Sequence, residues 1–181
     1  MQGQQAAQWV SRRLARNQRV MAAAPAYLRE WGTPQYLDEL SLHRCLQVRE
    51  NGSRSPMNRS LTKPELNGRF DFWTLQHGRD KNMVRVPVRG PLSSNSGELV
   101  RDWCLQGRGI MLRSLWDIAP QLASGQLIQV LPQWTMPDAD VHWLAPYRTD
   151  SPKRIRLLID HLVTQFSGEP WRAGLKSPAE S

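Results

Sequence analysis

The sequence predicts an α/β fold, and three observations carry that prediction. Short apolar runs, Cys45 to Val48 and Gly109 to Leu112, are bounded by turn residues as buried strands are. Segments after Ser96 and after Ser151-Pro152 repeat apolar residues at helical spacing. Strands and short helices alternate along the chain, the order that builds a sheet with helices on its faces and ligands at the carboxyl ends of its strands. At 181 residues, with 40% apolar and 22% charged residues, the chain has the composition of one ordinary domain or two small lobes.

From the start, Val10 to Leu14 and Gln18 to Ala23 read as short extended pieces around a turn at Arg16-Asn17. Pro25 and Gly32 bracket a short helix from Ala26 to Trp31, since proline suits the first helical position and glycine the position past the end. Thr33-Pro34 repeats the start signal for a second short helix through Leu40. Cys45 to Val48 is a buried strand, and Arg49 to Arg69 is a long polar loop. Phe70 to Leu75 and Met83 to Val88 flank the turn His77-Gly-Arg-Asp80 as a hairpin, with Pro87 placing the second arm at an edge.

The helix after Ser96 puts Leu99, Val100, Trp103 and Cys104 on one face, and Gly107 or Gly109 ends it. Gly109 to Leu112 follows as a central strand. Ser114 caps a short helix reaching Pro120, Gly125 precedes a strand from Leu127 to Leu131, and Val141 to Ala145 is one more strand. Ser151-Pro152 opens the clearest helix, where Ile155, Leu158, Ile159, Leu162, Val163 and Phe166 form an apolar stripe. Residues 1–9 are expected to be flexible, and residues 168–181 a disordered tail.

Several functions find little support. The longest uncharged apolar run, near Val20 to Pro25, is too short to cross a bilayer, and no secretory signal opens the sequence. The reading is therefore cytoplasmic, with no membrane association, and Cys45 and Cys104 reduced and buried. The net charge of +8 invites a nucleic-acid partner, but beyond Arg12, Arg13, Arg16 and Arg19 it is scattered, with no DNA-reading motif. No Gly-x-Ser-x-Gly turn surrounds a serine, so an enzyme is the weaker reading. His43, His77, His142 and His161 are isolated, so no metal is expected, and no cofactor either. Asp138 and Asp140 read as a solvated turn, and Trp103 and Trp116 as core.

The most informative stretch is Ser93-Ser-Asn-Ser-Gly-Glu-Leu-Val100, a loop of hydroxyl and amide groups that opens a helix. Such a loop exposes unpaired N–H groups at the positive end of the helix dipole, a ready seat for a carboxylate. Capping alone also explains these residues, because serine and asparagine are preferred N-caps. Both readings stay open. Arg113, just after the central strand, is placed to pair an anion bidentately, although an ordinary ion pair is the favoured reading.

Arg13-Leu-Ala-Arg-Asn-Gln-Arg-Val-Met-Ala-Ala-Ala-Pro-Ala-Tyr-Leu28 resembles a signature stretch of LysR-type transcriptional regulators. Ser94-Asn-Ser-Gly97 followed by Gly109 to Ile118 is similar to the effector-binding region of that family. Gly125 to Trp134 and the closing helix are similar to its C-terminal end, so the resemblance runs from about Val10 to about Phe166. It implies a type 2 periplasmic-binding-protein-like effector domain over residues 10–167, with a small metabolite in the cleft between two lobes. What this chain carries looks like the second lobe plus the strand and helix that return to the first. The winged helix-turn-helix, the linker helix and the first strands of the first lobe are not found in it.

Carried onto these residues, the resemblance assigns effector binding to Ser93, Ser94, Asn95, Ser96 and Gly97, with Arg113 beside them. It implies a small-molecule effector, carboxylate in chemistry, and either a homo-oligomer or a full-length family member as protein partner. DNA would be contacted only through a helix-turn-helix outside these residues. The alternative is a stand-alone or remnant protein for small-molecule binding or subunit pairing, without DNA binding of its own.

Overall fold

The computed structural model describes residues 9–49, 71–78, 80, 82–136, 140–146, 152–172 and 175. The expected long loop from Arg49 to Arg69 lies outside them except for Arg49. Among the described residues the strands are β1 (Trp9–Ala15), β2 (Arg19–Ala23), β3 (Cys45–Val48), β4 (Asp71–His77), β5 (Met83–Val88) and β6 (Ser93–Ser94). They continue with β7 (Ile110–Ser114), β8 (Ile128–Gln129), β9 (Trp134–Met136) and β10 (Val141–Pro146). The α-helices are α1 (Pro25–Trp31), α2 (Gly97–Leu105), α3 (Leu115–Ala123) and α4 (Lys153–Ser167).

The main sheet runs β5-β4-β9-β2-β7-β3-β6, with β8 pairing β2 beside β9. Strand β3 lies parallel to β7 and to β6, and the other pairs in the sheet are antiparallel. Its middle is covered on both sides. Met21, Ala23, Cys45 and Ile110 face a core completed by Tyr27 and Leu28 of α1, Leu40, and the hairpin residues Trp73, Leu75, Val86 and Val88. Val20, Ala22, Leu46 and Met111 face Val100 and Cys104 of α2 and Leu115 and Ile118 of α3. Neighbouring side chains on a strand point to opposite faces, so two covered faces turn Val20 to Ala23 into an unbroken apolar run. Both cysteines are buried and unpaired, and burial pushes their thiols up to about 12.

Apart stands a two-stranded sheet of β1 and β10, with Val10 opposite Ala145 and Arg12 opposite Trp143. Helix α4 packs beside β1, tied by an ion pair between Arg12 and Asp160 at 2.8 Å. Its apolar stripe is present, but no residue of α4 is buried, and Leu157 and Leu158 are exposed. The pieces Val10 to Leu14 and Gln18 to Ala23 are strands, as expected, and belong to different sheets.

Other expectations are corrected. The Thr33-Pro34 signal does not open a helix. A 3-10 helix runs from Leu37 to Leu42 instead, entered through Tyr36 with the Glu39 carboxylate accepting the Tyr36 amide. Gly107, at φ +76°, ends α2. Helix α3 passes Pro120 to Ala123, and Ser114 is its N-cap residue without a side-chain capping bond, its hydroxyl accepting from the Asn17 side-chain amide at 3.1 Å. Leu127 to Leu131 narrows to Ile128–Gln129, and Trp116 is half exposed rather than core. Asp140 is no solvated turn residue: it accepts from the Asn17 backbone amide at 2.9 Å and pairs with Arg13. Past Gly168 the chain continues in a 3-10 turn, Pro170–Arg172, with Trp171 packed toward α3. No helix among the described residues is long and apolar enough to cross a membrane.

Candidate functional site

Strands β3, β6 and β7 run in the same direction, so their carboxyl ends come together at one rim of the sheet. That rim gathers the predicted residues. Ser93 and Ser94 form β6 against Gln47 and Val48, and Asn95 and Ser96 lead into α2, whose first residue is Gly97. Arg113 reaches the same place from the end of β7. Its guanidinium lies so close to Gly97 that a Cβ added there would fall 1.9 Å from Nη1. All six residues chosen from sequence therefore meet at the α2 N-terminus.

The capping reading holds for part of the loop. The Ser96 hydroxyl accepts from the Leu99 amide at 3.3 Å, and the Ser94 hydroxyl accepts from the Ser96 amide at 3.0 Å. The amides of Gly97 and Glu98 have no acceptor among the described residues and stand at the positive end of the helix.

Asp117 was not legible as part of this site. Its carboxylate takes Arg113 through Nε at 2.9 Å and through a second guanidinium nitrogen, and it takes Arg101 of α2 at 2.8 Å. The Asp117 side chain is 10% exposed, so this is a partly desolvated cluster rather than a loose surface pair. Two guanidinium groups share this one carboxylate beside the free amides, with the Glu98 carboxylate also in the first turn of α2. The i, i+4 spacing of Arg113 and Asp117 was the available signal.

On the other face of the edge strands lies an open depression of about 420 Å³, lined by Leu42, His43, Arg44, Gln47, Arg49 and Arg89, with Gly90, Pro91 and Ser93. Only Ser93 among the predicted residues touches it. At its back the Tyr27 hydroxyl accepts the Arg44 amide at 2.9 Å and is hydrogen-bonded to Nδ1 of His43 at 3.1 Å. Burial holds His43 below its ordinary value of 6.5, with Glu39 opposing. No cluster of three or more metal-ligating side chains occurs among the described residues.

Comparison with known proteins gives a consistent picture. Residues 2–167 match the LysR substrate binding domain family. The chain is 44% identical over 126 residues to the HTH-type transcriptional activator TtdR of Escherichia coli, covering 70% of this chain and 35% of that protein. It is 34% identical over 158 residues to the transcriptional regulator DmlR of Escherichia coli, covering 87% of this chain and 46% of that protein. Among solved structures it resembles the regulatory domain of CrgA from Neisseria meningitidis, at 26% identity and a TM-score of 0.63, over 87% of this chain and 69% of that one. The chain thus spans about a third to a half of the length of these two curated relatives.

Proposed function

The chain belongs to the LysR substrate-binding domain family, and from that premise we propose that it is the effector-sensing part of a transcriptional regulator working in the cytoplasm. The effector is a small carboxylate, received by the Ser93 to Gly97 loop with Arg113 beside it. The observation that carries this reading is the pair of acceptor-less amides, Gly97 and Glu98, at the N-terminus of α2 beside the Arg113 guanidinium. A carboxylate seated there gains charge-assisted hydrogen bonds and the helix dipole at once.

Sensing requires that the ligand bind two arrangements of the regulator with different affinity. Loop and ligand supply part of that difference, and DNA is contacted through a helix-turn-helix outside these residues. Asn95→Ala, in a chimera joining this chain to the remainder of a full-length relative, weakens the transcriptional response to effector and leaves folding unchanged. An undiminished response removes the assignment.

A second reading, subunit pairing without DNA binding, draws support from one observation. Val10, Leu144, Leu157 and Leu158 leave the β1–β10–α4 arm with exposed apolar side chains. Co-purification with a full-length relative favours that reading, and a monodisperse monomer counts against it.

A further inference from the structure

Arg113 is held at the α2 N-terminus by a carboxylate that sequence alone did not single out. Asp117 lies in the first turn of α3, where the helix dipole favours an acid, and its side chain is mostly buried. Its Oδ2 takes Nε and Nη2 of Arg113, at the end of β7. Its Oδ1 takes Nη1 of Arg101, in the second turn of α2, at 2.8 Å. One carboxylate therefore fastens β7, α2 and α3 together, and with both oxygens engaged it is not free to rotate.

This arrangement decides which edge of Arg113 is available. A guanidinium has five N–H donors, and the side-on edge of Arg113, Nε with Nη2, is taken by Asp117. The end-on edge remains, with both hydrogens of Nη1 and one of Nη2. That edge is the one turned to Gly97. A Cβ at Gly97 would meet Nη1 first, then Cζ and Nη2, with Nε farther away. Surplus charge is not what this rim offers, because Arg101 and Arg113 are balanced by Asp117 and Glu98. What it offers an anion is donors already aimed, which spares the cost of ordering them on binding.

We propose that Asp117 is a positioning residue for effector reception. It holds Arg113 so that the Nη1–Nη2 edge, and not the Nε edge, meets the effector carboxylate beside the Gly97 and Glu98 amides. Arg101 ties the other oxygen of Asp117 to α2 and so fixes the carboxylate relative to those amides. The inference rests on the reading that the Ser93 to Gly97 loop receives a carboxylate.

The test is a titration of the isotope-labelled chain with succinate and, separately, benzoate, followed at the Gly97 and Glu98 amide resonances. These amides shift in the unaltered chain with at least one probe. If neither probe moves them, the loop reading fails and this inference falls with it. In Asp117→Asn the affinity drops about tenfold or more, the loss expected of a misdirected charge-assisted pair. Removing a negative charge would by itself tighten anion binding, so the direction of the change separates positioning from simple electrostatics. Unchanged or tighter binding in Asp117→Asn overturns the inference while the loop reading stands. Because Asp117 acts through Arg113, adding Asp117→Asn to Arg113→Gln costs no further affinity, and a full additional loss overturns the proposal. Arg113→Lys, which leaves Asp117 in place, keeps the charge but lacks the fork and binds as weakly as Arg113→Gln. Full affinity in Arg113→Lys would show that no oriented edge is needed and would also overturn it.

Discussion

The middle of the main sheet and the β1–β10–α4 arm are opposites in burial although both are apolar in sequence. Val20, Met21, Ala22 and Ala23 are each 0% exposed, because α1, the β4–β5 hairpin, α2 and α3 close on both faces. Helix α4 carries the most regular apolar stripe in the chain, yet none of its residues is buried. Periodicity states which face of an element seeks cover. Whether cover arrives depends on what else packs there.

This contrast predicts unequal costs for similar truncations. Ile110→Ala, in the centre of the sheet, destabilises the chain by about 2–5 kcal/mol in chemical denaturation, since a large buried side chain leaves a cavity. Leu158→Ala on α4 changes stability by no more than about 0.5 kcal/mol, as expected for an exposed site. Equal losses at the two positions would mean that the arm is as firmly packed as the sheet.

The next effect belongs to a polar group inside the well-packed half. Tyr27→Phe removes the hydroxyl that accepts the Arg44 amide and is hydrogen-bonded to His43, leaving both groups without that partner. The expected loss is about 1–3 kcal/mol, measured the same way. Retention of full stability would show that water replaces the hydroxyl there.

A smaller effect follows from His43. Its folded-state value lies below 6.5, so above that pH both folded and unfolded chains hold it neutral and its contribution to stability is complete. As pH falls through 6.5 the unfolded chain takes up a proton that the folded chain resists, and stability drops toward the folded-state value. The melting midpoint therefore falls on acidification, and His43→Gln flattens that fall. An identical slope in the variant would assign the acid sensitivity to other groups.

The smallest effect is in the arm. Arg12→Ala removes the bridge to Asp160, whose side chains are 50% and 59% exposed. Screening by solvent keeps the loss between about 0 and 1 kcal/mol in a denaturation experiment.

Legibility in the sequence follows the same divide between local rules and tertiary context. The hairpin was legible because Pro87 and the alternating valines fix an edge strand by themselves, and β5 is the sheet edge. Strands β6 and β9 were not, since two or three residues become strands only through the neighbours they pair with. Trp116 followed the rule that large aromatic residues are buried, but it sits on the outward side of α3. The six candidate residues lie together at the rim, because helix-start chemistry and the end of a central strand are local signals. Asp117 was missed because its role depends on two arginines converging from different elements. The hollow beside β3 was missed for the same reason: its arginines come from the two ends of β3 and from the chain between β5 and β6.

The most direct test of the account is a thermal melt of the 181-residue chain with a panel of small carboxylates, repeated for Asn95→Ala and Gly97→Ala. One carboxylate raises the midpoint of the unaltered chain, because only binding to the folded state does so. The rise shrinks in both variants, where a loop contact is lost or a Cβ displaces Arg113, and it persists in Arg49→Gln/Arg89→Gln. A midpoint indifferent to every carboxylate, or a rise undiminished in the loop variants, would contradict the assignment of effector reception to Ser93 through Gly97.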